Sequence, residues 1–303
     1  LVIQEDYCIL AQKLISLGAH PFLLFCAEST LYADKFYSNL FKLSSIFKNR
    51  ILFRGVFNKT FSDGKNHILY FPSFNKNNSK AIINNKWSTR SFIVMVAANK
   101  YWNTKKPFFL KFLSLIKDIV KHQKITRTNK FKEFQLHDKR LELIEFFGQT
   151  SNFSLYGKDW DNLNNLNDEW ISRLKSIIDQ LKPLTCSDKQ IIISKYKFAL
   201  CLENIIFPGY VTEKIFDCFK AGVIPIYMGA PDILDFVPES IFIDLRNFSS
   251  NDILNDYLEN LSEQEALEMI TNAHKFIKSE DGMKFSYEAF AENVMYMVDK
   301  FEK

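Results

Sequence analysis

At 303 residues the chain exceeds what one small core needs and suits two domains of ~100–200 residues each. Hydrophobic residues make up 47% and charged residues 24%, which excludes disordered and fibrous classes and predicts a globular protein with a sizeable core. Lys and Arg exceed Asp and Glu by 39 − 35 = 4 without long basic runs, so no nucleic-acid partner is expected.

The periodicity predicts, in chain order, a helix over 7–17 ended by Gly18, then a buried strand over 21–27 with Glu28 directly after it. Short strands follow at 51–57 and 67–71, separated by the turn signal Ser62-Asp63-Gly64, and the Asn- and Lys-rich stretch 75–85 reads as a surface loop. A domain boundary is placed near Trp87, giving an N-terminal domain over 1–86, completed in one reading by the C-terminal helix, and a second domain over 87–303. The second domain opens with a buried strand over 90–99 that stops at Asn99. The basic stretch 117–132 reads either as a solvated helix and loop or as a contact for anionic lipid. A helix over 138–147 places Leu141, Ile144 and Phe147 on one face, with Arg140 near its start. A strand over 153–156 ends at Gly157, and 162–181 is polar and helical from Glu169 onward. Strands at 198–202, 224–227 and 241–243 then alternate with a helix over 211–221, and terminal helices are expected over 251–278 and 287–301. This βαβ rhythm implies an α/β fold with a parallel sheet that holds ligands at the carboxyl ends of its strands.

Five cysteines, Cys8, Cys26, Cys186, Cys201 and Cys218, form no C-x-x-C pair and lie mostly in apolar runs, so they read as reduced, buried thiols of a cytosolic protein. No stretch approaches ~20 uninterrupted apolar residues and no signal peptide opens the chain, although a first residue of Leu leaves room for a leader or anchor before it. The histidines show no ligand spacing, and Asp159-Trp160-Asp161 reads as surface loop, so neither a metal nor another cofactor is expected.

The densest chemistry lies between 196 and 231. The strand Tyr196-Lys-Phe-Ala-Leu-Cys-Leu delivers Glu203 and Asn204 at its carboxyl end, and Tyr210-Val211-Thr212-Glu213-Lys214 opens the next helix. Backbone N–H groups and the positive dipole end favour a phosphate there, with Lys214 adding a full charge in the first turn. Glu213 is placed to accept from ribose hydroxyls and Tyr210 to stack on or hydrogen-bond to a nucleotide. Gly222 closes the helix as a C-cap.

The run from Tyr196 through Glu203-Asn204, Tyr210-Val-Thr-Glu-Lys214 and Met228-Gly-Ala-Pro231 resembles the donor-binding signature of the family 10 fucosyltransferases, in register over some 36 positions. Flanking likenesses are the segment from Phe236 to Asp244, the strand from Phe92 to Asn99, Lys139-Arg140 at a helix start, and Tyr156-Gly157-Lys158. In the N-terminal third only the segment from Phe22 to Ser29 is similar. The resemblance implies a GT-B architecture, two Rossmann-like domains facing across a cleft, and inverting α1,3-type transfer of fucose from GDP-fucose. Carried over by residue, it implies Glu28 as the base on the acceptor hydroxyl, and Arg140 and Lys214 as cations on the departing GDP. Tyr210 and Glu213 fall to nucleotide contacts, and Asn204 and Glu203 to the pocket floor or the sugar. Glu203 has a rival reading as a buried acid paired with a nearby cation. Asn99 matches a position near the phosphates and reads equally as a turn former. The acceptor implied is an oligosaccharide or glycolipid, such as lipopolysaccharide made on the inner face of a bacterial membrane, with peripheral membrane contact. Another GDP-sugar or deoxy-sugar nucleotide and a catalytically silent nucleotide-binding module stand as alternatives. The oligomeric state is not readable.

Overall fold

The computed structural model describes residues 2–4, 13, 15–18, 23–25, 49–53, 66–76, 86–99, 134–150, 152–185 and 188–301. Among the described residues two parallel sheets carry the architecture. In the first, β1 (Val2–Gln4), β2 (Leu23–Phe25), β3 (Asn49–Phe53) and β4 (Asn66–Leu69) lie in sequence order. Val2 sits opposite Leu23, Leu23 opposite Asn49, and Arg50 opposite Asn66. Three of these strands fall where the apolar runs predict them. β1 lies outside the elements that the sequence predicts.

The second sheet has the order β6-β5-β7-β8-β9, all parallel. Its strands are β5 (Ser91–Val96), β6 (Phe153–Tyr156), β7 (Tyr196–Leu202), β8 (Ile224–Met228) and β9 (Ile243–Asp244). β7 is central, and every residue of it except Lys197 is buried, the continuous apolar run expected of a strand covered on both faces. Leu200 and Leu202 point into one core with Leu141 and Ile144 of α1 (His137–Gly148) and Leu174 of α2 (Asp168–Leu181). Ala199 and Cys201 point into the other. There they meet Ile193 of α3 (Lys189–Ile193), Ile215 and Phe219 of α4 (Glu213–Ala221), and Ile277 of a later helix.

Local chemistry sets the helix ends. Asn167 accepts from the Trp170 N–H and starts α2 with Trp170, Leu174, Ile177 and Ile178 on its buried stripe. α4 begins at Glu213, two residues after its predicted start at 211. The reason is that Thr212 stays extended and gives its N–H to a side chain instead. Gly222, at φ +63°, ends it as predicted. The single helix expected over 251–278 is two, α5 (Asn251–Asn260) and α6 (Glu263–Lys278). Ser262 and Glu265 form a reciprocal capping box that starts α6 afresh, a signature that was legible in Ser262-x-x-Glu265. After α7 (Glu280–Met283), α8 (Tyr287–Phe301) falls where the pattern places it.

Residues 70–76, which follow the first sheet in the chain, are fastened to the last elements of the second. Ser73 N–H donates to the Phe285 carbonyl at 2.7 Å, and Tyr287 N–H donates to that of Phe74 at 2.8 Å. Phe74, 1% exposed, stacks at 5.4 Å from Phe216, a burial that contributes about 1.5–3 kcal/mol. Among the described residues no helix is long and apolar enough to cross a membrane.

Candidate active site

The chain leaves β5 for β6 on one side of the sheet and later returns to β7 on the other. The carboxyl ends of β5 and β7 therefore border a crevice, the switch point at which open α/β sheets bind ligands. A cleft of about 420 Å³ occupies this position. Among the described residues four cationic side chains line it, Arg140, Lys158, Lys189 and Lys214, against one lining carboxylate, Glu213. Such a balance suits an anion with several charges.

Glu203 organises the cleft from behind. It is 0% exposed, and its carboxylate accepts from the turn that starts α4. Thr212 N–H donates to Glu203 Oε1 at 2.8 Å, the Thr212 hydroxyl donates to the same carboxylate at 2.8 and 3.0 Å, and Lys214 Nζ donates to Oε2 at 3.0 Å. Lys214 Nζ also donates to Thr212 Oγ1 at 2.9 Å. Burial works against the charge of Lys214, but Glu203 and Glu213 outweigh it and hold the ammonium above the ordinary lysine range. For Glu213 burial likewise disfavours the charge, while Lys214 and Lys189 more than compensate and keep its carboxyl below the usual value. Both groups thus carry full charge at neutral pH. Room for Glu203 comes from Gly229, where a Cβ would run into Glu203 Cγ and the Tyr227 hydroxyl.

Arg140 reaches the cleft from α1 and is 8% exposed, not a helix-surface arginine. Its Nη2 donates to the carbonyls of Leu202 and Glu203, both at 2.8 Å, and to Asn204 Oδ1 at 3.1 Å. The guanidinium is fixed to the end of β7, and the half-buried Asn204 amide is turned by it. Tyr210, 7% exposed, completes this side.

The opposite wall is the junction of the β5 and β6 ends. Ala97 N–H donates to the Tyr156 carbonyl at 2.8 Å, and Asn99 N–H donates to that of Lys158 at 3.0 Å. Gly157 has φ +148°, and a Cβ there would collide with the Ala97 carbonyl. This is the physical demand behind a glycine in Tyr156-Gly157-Lys158. Gly157→Ala is expected to cost about 2–4 kcal/mol through strain and overlap, read as a lower midpoint in chemical denaturation. An unchanged midpoint would contradict the tight approach.

Arg140, Asn204, Tyr210, Glu213 and Lys214 are brought together around the cleft. Two other candidates are not on its lining. Glu203 is a buried anchor for Thr212 and Lys214, the arrangement that its reading as a paired acid describes. Asn99, 3% exposed, ties down the adjoining loop through Nδ2 to the carbonyls of Asp159 at 3.0 Å and Asn162 at 3.4 Å. It stands behind the wall, tied to the adjoining loop as a turn residue is. Within Asp159-Trp160-Asp161 both carboxylates are exposed, while the indole of Trp160 is buried and donates to the Ala97 carbonyl at 2.7 Å. Glu28, the basic stretch 117–132, and Cys8, Cys26 and Cys186 lie outside the described residues, whereas Cys201 and Cys218 are free and buried. Lys189 was missed. No motif surrounds it, and only the packing of α3 against α4 carries it to the cleft.

Residues 120–270, about half of the chain, match the glycosyltransferase family 10 (fucosyltransferase) C-terminal domain. The chain belongs to glycosyltransferase family 10. This family 10 member is 44% identical over 75 residues to the α-(1,3)-fucosyltransferase FucT of Helicobacter pylori, a stretch covering 24% of the chain and 16% of that relative. It is 42% identical over 71 residues to an α-(1,4)-fucosyltransferase of Arabidopsis thaliana, covering 23% of the chain and 18% of the relative. The matched segments thus span less than a fifth of these relatives' length. In three dimensions it is similar to a crystal structure of an α1,3-fucosyltransferase, with a TM-score of 0.56 and 16% identity over 98% of this chain and 78% of that one. HepE of Anabaena, in complex with UDP and glucose, gives a TM-score of 0.60 at 10% identity over 99% of this chain and 78% of that one. At these identities the likeness defines the fold, which is α/β of the GT-B type with parallel sheets.

Proposed function

We propose that the chain is an inverting, metal-independent α1,3-fucosyltransferase that moves L-fucose from GDP-fucose to a hydroxyl of a surface glycan. The observation that carries this reading is the cluster of cations around the Thr212-Glu213-Lys214 turn at the switch point of the second sheet, inside the segment matched by the family. In this reaction the acceptor oxygen attacks the anomeric carbon as the bond to the β-phosphate oxygen breaks. GDP leaves with the electron pair, and a base takes the acceptor proton. Arg140 and Lys214 stabilise the charge growing on the diphosphate, the task a divalent cation performs elsewhere. Glu213 accepts from the ribose hydroxyls, and Tyr210 and Asn204 bound the nucleotide and sugar. Direct displacement turns the β-linked donor into an α-linked product.

The role of base goes to Glu28, on its resemblance to the family's N-terminal glutamate. The acceptor is an oligosaccharide or glycolipid of the lipopolysaccharide or O-antigen class, met in the cytoplasm at the inner face of a bacterial membrane, with the basic stretch 117–132 as the peripheral contact. A transfer assay with labelled GDP-fucose in EDTA, run against a panel of oligosaccharide acceptors, tests the assignment. Glu28→Gln is expected to lose about 10²–10⁴-fold in turnover while still binding GDP. Undiminished transfer by Glu28→Gln, or transfer that requires added metal, would overturn it.

A further inference from the structure

The cleft has two chemically different halves. Around Arg140, Asn204 and Lys214 it is cationic and polar. On the face of the sheet that carries α3 and α4, its lining is Val96, Ala199, Cys201, Ile193 and Cys218, with Phe71 from the segment that leads out of the first sheet. The small side chains of Ala199, Cys201 and Cys218 make this half of the lining apolar, a surface suited to the face of a planar ring system. Lys189 also lines the cleft. Asp217, one helical turn beyond Glu213 on α4, accepts from Lys189 Nζ at 2.9 Å, and Gln190 Nε2 donates to the other Asp217 oxygen at 3.3 Å. The Lys189 side chain is 33% exposed and that of Asp217 is 16% exposed. The amine therefore has donors to spare beyond the one that Asp217 takes.

We propose that Lys189 selects the nucleobase of the donor by donating to a base carbonyl oxygen, with Asp217 as the positioning residue that aims the amine. This rests on the reading that the cleft takes a GDP-sugar. Guanine presents an acceptor, O6, where adenine presents an exocyclic amine that would meet the ammonium donor to donor. A donor that a bound base shields from water disfavours a base that cannot accept from it, because the donor is then left unpaired.

The test is calorimetric titration of wild type, Lys189→Met and Lys189→Gln with GDP, IDP and ADP, each protein first shown to melt cooperatively. IDP keeps O6 and lacks the guanine amino group. Lys189→Met is expected to bind GDP and IDP about tenfold or more weakly while ADP changes less than about threefold, so the preference for the 6-oxo purines collapses. Lys189→Gln, which keeps a shorter donor, should fall between. Equal losses for all three nucleotides would mean that Lys189 only supports packing, and an unchanged GDP-to-ADP ratio would also overturn the proposal. Absence of GDP binding by wild type would instead bring down the donor reading itself, and this inference with it.

Discussion

Glu203→Ala is expected to lower the stability of the folded chain by about 3–5 kcal/mol, the usual cost of breaking a buried ion pair by removing one partner. The carboxylate is fully enclosed and holds three groups of the α4 entry: the Thr212 N–H, the Thr212 hydroxyl and the Lys214 ammonium. Its loss leaves a buried backbone N–H without its acceptor and opens a cavity beside Gly229. Glu203→Gln keeps one acceptor oxygen and should lose less. Urea denaturation followed by circular dichroism separates the variants. Wild-type stability in Glu203→Ala would show that the turn is held by something else.

Lys214→Ala is expected to weaken GDP binding by about 10- to 100-fold, the worth of a charge-assisted hydrogen bond to a phosphate in a partly enclosed site. The ammonium is placed in advance, with Glu203 Oε2 at 3.0 Å and Thr212 Oγ1 at 2.9 Å, so the ligand does not have to order it. A preorganised cation acts at full strength on the charge that develops as a diphosphate departs, so turnover should fall further than ground-state affinity does. Lys214→Arg restores charge but not the compact fit against Glu203 and is expected to recover only part of the loss. Steady-state kinetics alongside nucleotide titration measure both effects. A variant with unchanged GDP affinity and turnover would remove Lys214 from the site.

The legible part of this protein is the part whose chemistry is local in sequence. Glu203-Asn204 ending a buried strand, Tyr210 to Lys214 opening a helix and Gly222 closing it can be read in one pass, because strand, loop and helix N-terminus are contiguous. The sequence also leaves Glu203 with two roles, and its full enclosure is visible only in three dimensions. Asn99 looks like a ligand residue at a strand end, yet its amide is spent on the carbonyls of Asp159 and Asn162, some 60 residues away in the chain. Lys189 is the converse case, an ordinary lysine in sequence that reaches the cleft because α3 packs on α4. The break between α5 and α6 is readable in Ser262-x-x-Glu265, a signature that the single helix expected over 251–278 passes over.

The cleft between β5 and β7 is the proposed GDP-fucose site. Isothermal titration of the wild-type chain with GDP, GDP-fucose, GDP-mannose and UDP-glucose, in EDTA, tests it most directly. Binding of GDP and GDP-fucose without metal, with UDP-glucose much weaker, is the predicted result. Failure of every guanine nucleotide to bind, or equal binding of UDP-glucose, would contradict it.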